Sequence, residues 1–218
     1  MTAGQRRAWE RLWPRFGATL DDLDDLDAAG GLDAAAWFGR EAPLLLEIGT
    51  GMGETTAELA AAAPEVNYLA VEVYRPGLAQ LLMRIDLLGL ANLRLVRGDA
   101  VRLLRDHLAP ASLAGIRVFF PDPWPKARHH KRRLVEPGFV ALAASRLVVG
   151  GVLHLATDWE HYAEQMLTAC SAEPTLRNEA GGPDGWSVRP PWRPVTKFEQ
   201  RAVADGRTVH DLLFRRVA

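Results

Sequence analysis

The sequence predicts an α/β fold, a doubly wound, mostly parallel sheet with an antiparallel C-terminal strand, and three observations predict it. Short apolar runs recur from Leu44 to Thr157, each followed by a helix-forming stretch. Apolar strands that alternate with helices are buried on both faces of a parallel sheet and joined by right-handed crossovers. The last regular segment, TVHDLLFRRV, reads as a strand that can pair antiparallel at or near the sheet's edge.

LLLEI at 44–48 is the first strand, and a glycine turn leads from it into the alanine-rich helix ETTAELAAAA, which ends before Pro64. NYLAVEV is the second strand, and PGLAQLLMRIDLLGL is a helix closed by Gly89. NLRLVRG, a short helix over 100–107, and the strand GIRVFF follow. After a basic loop comes the helix PGFVALAASRLV, ended by Gly150 and Gly151, then the strand VLHLAT and a helix from Trp159 to about Cys170. Beyond Ser171 the regularity fades into AGGPDGW and the proline-bracketed PPWRPVTKF. RRAWERLWPRF at 6–16 leads into an aspartate-rich stretch without a strand pattern, which predicts an N-terminal arm over residues 1–39 and one domain over 40–218.

The length, 218 residues, suits a single large domain, and 48% hydrophobic with 24% charged residues is a globular balance. No apolar run approaches the roughly 18 residues of a membrane helix, and residues 1–11 are too charged for a signal peptide, so a cytoplasmic protein is expected. Cys170 stands alone, which excludes an internal disulfide and a thiolate zinc cluster and suits burial as a small apolar residue. His129 and His130 lack a third ligand at useful spacing, so no metal is expected. The net charge of −1 hides an asymmetry: Asp21, Asp22, Asp24, Asp25 and Asp27 crowd one segment, and Lys126, Arg128, Lys131, Arg132 and Arg133 another.

Ligands of open parallel sheets bind beyond the carboxyl ends of the strands. After the first strand stands Glu47-Ile48-Gly49-Thr50-Gly51-Met52-Gly53-Glu54, a G-x-G-x-G loop rather than the dinucleotide G-x-G-x-x-G. Glu54 sits where a diphosphate would otherwise meet the helix N-terminus; its charge repels a diphosphate and tolerates an ammonium and a sulfonium, favouring S-adenosylmethionine over NAD. Glu72, 25 residues beyond Glu47, is near the spacing at which a carboxylate accepts from ribose hydroxyls, and Asp99 follows the third strand, able to accept from an adenine amino group. Each feature alone is as well read as an ordinary strand-to-helix turn; their order and spacing together favour the adenosine reading.

The most specific stretch is Phe119-Phe120-Pro121-Asp122-Pro123-Trp124-Pro125-Lys126-Ala127-Arg128-His129-His130-Lys131-Arg132-Arg133-Leu134. It resembles the signature of the bacterial tRNA (guanine-N7)-methyltransferase family, the TrmB type. EIGTGMGE, VEV, GDA, Thr157-Asp158-Trp159 and Thr196-Lys197-Phe198-Glu199 resemble that family's blocks in the same order, from about residue 40 to the C-terminus. The resemblance implies a Rossmann-like S-adenosylmethionine-dependent methyltransferase fold acting on tRNA, at N7 of the variable-loop guanine of conventional position 46. It implies that Glu47, the loop glycines Gly49, Gly51 and Gly53, Glu72, Asp99 and Asp122 contact the cofactor, with Asp122 also catalytic. It further assigns Lys126, Asp158 and Thr196, Lys197, Phe198 and Glu199 to the substrate, and Arg128, His129, His130, Lys131, Arg132 and Arg133 to RNA. Where the family commonly has glycine after Glu199-Gln200-Arg201, this chain has Ala202.

The residues fit that chemistry independently. Guanine N7 carries a free lone pair, so methylation there needs positioning and charge stabilisation and no base to remove a proton. A carboxylate such as Asp122 or Asp158 accepts from guanine N1–H and the 2-amino group, an arrangement adenine does not offer. Trp124 suits stacking on a splayed base, though packing under the loop is at least as good a reading. The basic run suits phosphate contacts, and by itself suits a solvated face equally. A non-catalytic RNA-binding subunit on the same fold is the rival, and an NAD-dependent oxidoreductase a weaker one. A monomer and a homodimer are both compatible with the sequence.

Overall fold

The structure is a computed structural model in which residues 1–26, 31–180 and 184–218 are described. Asp27 of the acidic stretch, and Gly181, Gly182 and Pro183 of the AGGPDGW loop, lie outside the described residues. The chain divides into two compact units, Met1–Leu113 and Ala114–Ala218.

In the first unit, α1 (Ala3–Phe16) opens with a capping box: Gln5 N–H donates to Thr2 Oγ1 at 3.2 Å and Thr2 N–H to Gln5 Oε1 at 2.8 Å. Gln5, Ala8, Leu12 and Phe16 recur at helical spacing and are buried, and α1 packs against α5 (Arg75–Leu88). The chain then forms β1 (Gly17–Thr19), which pairs in parallel with β4 (Leu93–Arg97), before α2 (Leu20–Leu26) and α3 (Ala34–Phe38). The expectation of an N-terminal stretch without strand pattern is thereby corrected. Its apolar residues have a helical period and bury against this unit, and Ala18, Leu20 and Leu23 join the core.

β2 (Leu44–Ile48), α4 (Glu54–Ala62), β3 (Asn67–Glu72), α5 and β4 follow as expected. The four strands lie in the order β1-β4-β3-β2, all parallel. Ile48 is in register with Val71 and Glu72 with Arg97, so the strands end level. Gly89, at φ 64°, closes α5 with its N–H on Ile85 and Asp86 carbonyls. The expected helix over 100–107 is one turn, α6 (Ala100–Arg102), continued as a π-helical turn over Leu103–His107.

The second unit takes up β5 (Leu113–Phe119) from its second residue on, a 3-10 turn over Ala127–Arg132, α7 (Pro137–Arg146), β6 (Leu147–Thr157), α8 (Glu160–Ser171), β7 (Leu176–Asn178), α9 (Lys197–Ala204) and β8 (His210–Arg216). Its strand order is β5-β6-β8-β7, with β8 antiparallel to β6 and to β7. Together the strands make a mostly parallel α/β set with an antiparallel C-terminal part, and β8 is one place in from the edge.

Two expectations are corrected here. α7 ends at Arg146, and β6 starts at Leu147 and runs through Gly150 and Gly151, because residues 152–157 pair in full with β8 and carry the strand. The region beyond Ser171, expected to be irregular, contains β7 and α9. Thr196 caps α9 by accepting from Glu199 N–H at 3.0 Å, so the TKFE segment is a helix start. Ala202 is fully buried inside this helix. Among the described residues, no helix is long and apolar enough to cross a membrane.

Candidate functional site

The first unit gathers its acids at the level strand ends. Glu47, the last residue but one of β2, is almost fully buried, and Thr56 of α4 donates its hydroxyl to Oε1 at 2.9 Å. Gly49, Gly51 and Gly53 all have positive φ, of 77°, 55° and 72°, a region that costs other residues strain. A Cβ at Gly49 or Gly51 would meet nothing within 4 Å, so this rim of the loop faces open space. Below, the loop presses on α5: a Cβ at Gly77 would stand 1.9 Å from the Gly51 carbonyl oxygen. Glu72 braces the turn, accepting from Gly51 N–H at 2.9 Å through Oε2 and from Val73 and Tyr74 N–H at 2.7 and 2.9 Å through Oε1.

A carboxylate has about four acceptor positions, so Glu72 keeps capacity for a further donor. Asp99 is exposed and caps α6, its Oδ1 accepting from Arg102 N–H at 2.8 Å. Thr50 Oγ1 is shut off from solvent with no hydrogen-bond partner among the described residues. An open glycine rim, an unsatisfied hydroxyl and carboxylates with acceptor capacity fit a ligand rich in hydroxyl and amino donors. Glu54 stands in the first turn of α4 as expected, but Arg84 Nη2 lies 2.8 Å from its Oε1. Glu54 is thereby partly neutralised and repels a diphosphate less than an unpaired carboxylate does.

In the second unit Asp122 is exposed on the loop after β5. Phe120 and Trp124, neither of them glycine, bracket it at φ 52° and 43°. Left-handed residues on both sides of a carboxylate already flanked by prolines store strain, which native structures concentrate at functional sites. The Trp124 ring meets the His129 ring edge-on at 5.9 Å and the Arg132 guanidinium lies 4.9 Å from it, so Trp124 packs within the basic loop. Phe198 of α9 is 60% exposed and stacks on Phe120 with centroids 6.1 Å apart, which brings the TKFE segment beside the Asp122 loop. Asp158 accepts a short hydrogen bond from Arg207 and helps line a cavity of about 520 Å³ with Trp159, His161, Arg207 and His210.

The basic loop does not present all its cations. In a 3-10 turn residues three apart eclipse, and this turns His130 and Arg133 toward α8, where the His130 and His161 rings lie 4.9 Å apart. Arg133 is only 3% exposed and donates to Pro123 O at 2.8 Å and Gln165 Oε1 at 2.7 Å. The expectation that Arg133 faces RNA is corrected: it ties the loop down. Lys126, Arg128, Lys131 and Arg132 remain exposed.

Glu199 is also turned inward, 7% exposed, with Arg193 Nη1 2.6 Å from its Oε2. Arg193, 0% exposed, also donates from Nε and Nη2 to the two oxygens of Asp211, both at 2.9 Å. Asp211 in turn meets His154 Nε2 at 2.7 Å. Burial lowers the His154 pKa against the pull of Asp211, while the bonds from His154 and Arg193 keep Asp211 below its ordinary value despite burial. None of Arg193, Asp211 and His154 was picked out from the sequence; the signal available was only a polar residue interrupting each apolar run.

The family model described as "Putative methyltransferase" matches residues 41–212. A tRNA (guanine-N(7)-)-methyltransferase of Streptomyces coelicolor is 52% identical over 217 residues, covering 100% of this chain and 78% of its own length. Proteins of the same name from Bordetella parapertussis and Halorhodospira halophila are 54% and 50% identical, each over 99% of this chain and over 81% and 90% of their own lengths. Among solved structures, the 16S rRNA methyltransferase KamB superposes with TM-score 0.62 at 16% identity, over 86% of this chain and 95% of its own. A 16S rRNA (adenine(1408)-N(1))-methyltransferase from Catenulisporales acidiphilia does so with TM-score 0.56 at 16% identity, over 86% and 92%. At such identity these two support the fold alone.

Proposed function

The chain belongs to the tRNA (guanine-N7-)-methyltransferase family, and from that premise we propose that it transfers the methyl group of S-adenosylmethionine to N7 of a guanine in tRNA, at variable-loop position 46 in conventional numbering. The observation that carries the reading is that the first unit holds an open, acid-lined glycine turn and the second a strained acidic loop beside exposed cations. Each half suits one of the two ligands such a transfer needs.

Glu47, Gly49, Gly51, Gly53, Glu72 and Asp99 would hold the cofactor, their carboxylates accepting from its hydroxyl and amino groups. When bound, the cofactor supplies an electrophilic methyl on a sulfonium. Asp122 and Asp158 accept from the N1–H and 2-amino edge of guanine and oppose the positive charge that grows on the ring as N7 takes the methyl. Strain on both sides of Asp122 fixes that carboxylate before substrate arrives, so little reorganisation accompanies the reaction. The exposed Phe198 and Lys197 offer a face and a cation to the base and its phosphate, with Thr196 setting their helix. Lys126, Arg128, Lys131 and Arg132 supply salt-sensitive phosphate contacts, with His129 and His130 beside them.

Incubation of the protein with bulk tRNA and tritiated S-adenosylmethionine, followed by chemical cleavage at N7-methylguanine, tests the proposal. Label in tRNA and one new cleavage in the variable loop are expected. Cofactor binding without label, or label at another atom, overturns it.

A further inference from the structure

We propose that Arg193 is a positioning residue for substrate, and that Glu199 acts through Arg193 rather than at the edge of the guanine; this rests on the methyl-transfer reading above. Arg193 is the hub of a chain of buried polar groups drawn from four segments of the second unit. Its guanidinium spans Asp211 of β8 with Nε and Nη2 and Glu199 of α9 with Nη1. Arg189 Nη1 donates to the Arg193 carbonyl at 2.6 Å, and Arg189 Nε stands 3.6 Å from Glu199 Oε1. The Arg193 guanidinium carbon also lies 5.7 Å from the Phe119 ring centroid and 6.0 Å from that of Phe120, three and two residues before Asp122.

The geometry separates the faces of one helical turn. Glu199 points into the protein and is buried, whereas Lys197 and Phe198, two residues and one residue earlier, are exposed. A carboxylate pulled inward by a guanidinium at 2.6 Å is poorly placed to read a base edge at the same time. What it can do is set the angle of α9, and with it the place where Phe198 stacks on Phe120. A guanidinium suits this task because its planar fork serves two carboxylates in fixed directions, which an ammonium cannot reproduce. The bonds from His154 and Arg193 fix Asp211 in turn, so the chain has a rigid root in the β6–β8 pairing.

The test compares Arg193→Lys, Glu199→Gln and the double variant on tRNA carrying guanine or inosine, which lacks the 2-amino group, at the target position. S-adenosylhomocysteine affinity is measured alongside, well below each variant's melting temperature. Each single change is expected to lower kcat/KM for tRNA by about tenfold or more, in line with a lost buried charge pair. The double variant falls no more than about twofold below the worse single one, because the two residues act as a unit. S-adenosylhomocysteine affinity and the guanine-to-inosine ratio stay at the wild-type level.

Losses that multiply in the double variant overturn the proposal, as does a parallel loss of S-adenosylhomocysteine affinity, which marks general damage. If Arg193→Lys does not fold, Glu199→Gln alone decides: a guanine-to-inosine ratio shifted from wild type means direct contact with the base. A wild-type protein that binds S-adenosylhomocysteine yet methylates no tRNA sinks the underlying reading instead, and so the two failures are distinct.

Discussion

Two acids of the first unit and three of the second are anchored by different means. In the first, Glu72 and Asp99 are held by backbone N–H groups of nearby turns, three for Glu72 and one for Asp99, and each keeps acceptor capacity. In the second, Glu199 and Asp211 are held by a buried side-chain cation, and Asp158 by Arg207, across gaps of up to 49 residues, while Asp122 stands exposed between strained neighbours. Backbone anchoring leaves an acid ready for a small ligand with many donors. Anchoring by cations gives a stiff frame around one exposed acid, which suits a large charged substrate that approaches from outside.

The largest effect expected from this contrast is on the exposed acid. Asp122→Asn keeps the size of the side chain and removes the charge that, on the proposed reading, opposes the growing guanine cation. A loss of roughly 10²- to 10³-fold in kcat is expected, comparable with loss of one transition-state electrostatic contact. Melting temperature stays close to wild type. Single-turnover methyl transfer near the wild-type rate would place the charge stabilisation elsewhere and break the contrast at its sharpest point.

Two neighbouring cations of the basic loop provide the next separation. Arg133→Ala strips a buried set of hydrogen bonds to Pro123 and Gln165 and is expected to cost about 2–4 kcal/mol of stability. Lys131→Ala, on the outer face of the same turn, leaves stability within about 0.5 kcal/mol. It lowers the slope of log affinity for tRNA against log salt by about 0.7–0.9. Denaturant unfolding and salt titrations of both variants check this; equal salt slopes with equal stabilities would mean the loop is exposed throughout.

Glycines at the starts of two helices extend the comparison to smaller effects. Replacing helical glycine by alanine ordinarily stabilises a protein by about 0.4–1 kcal/mol. Gly138 of α7 in the second unit has nothing within 4 Å of an added Cβ, so Gly138→Ala is expected to show that gain. Gly77→Ala in the first unit drives a methyl against the Gly51 carbonyl and must shift the loop, at a cost of about 1–3 kcal/mol. Because Gly51 N–H is a donor to Glu72, S-adenosylhomocysteine affinity falls too. Calorimetric titration decides: unchanged affinity in Gly77→Ala would detach the loop from cofactor binding.

The same contrast explains what the sequence disclosed. Strands and helices from Leu44 to Thr157 follow from apolar runs and glycine stops, since both signals are local, and Glu47, Glu72 and Asp99 come from counting along strand ends. Asp122 stood out because prolines and cations surround it in a single stretch. The inward turn of Arg133 was invisible because only the three-residue period of its turn distinguishes it from Lys131 and Arg132. Arg193 was hidden in a proline-bracketed segment, and its partners Asp211 and Glu199 are 18 and 6 residues away. α9 was missed because its apolar pattern is sparse and its stability rests on that pairing and on the Thr196 cap.

The smallest expected effect separates the units by pH. Burial holds the His154 imidazole below its ordinary pKa of 6.5, so the unfolded chain takes up a proton near that pH which the folded chain refuses. The stability this group contributes is complete above pH 6.5 and is lost progressively as the pH falls toward the lower folded value. Asp211, also lowered, keeps its contribution until the pH drops below its ordinary 3.8, so between pH 7.5 and 5.5 the slope at this network belongs to His154. His154→Gln retains an amide donor toward Asp211 and has no proton to gain. The difference in melting temperature between pH 7.5 and 5.5 is therefore expected to shrink in the variant relative to wild type, while S-adenosylhomocysteine affinity, on the proposed reading a property of the first unit, is unaltered at both. An undiminished pH difference would mean that the buried imidazole does not root the Arg193 frame, and that the second unit's acids are held as locally as those of the first.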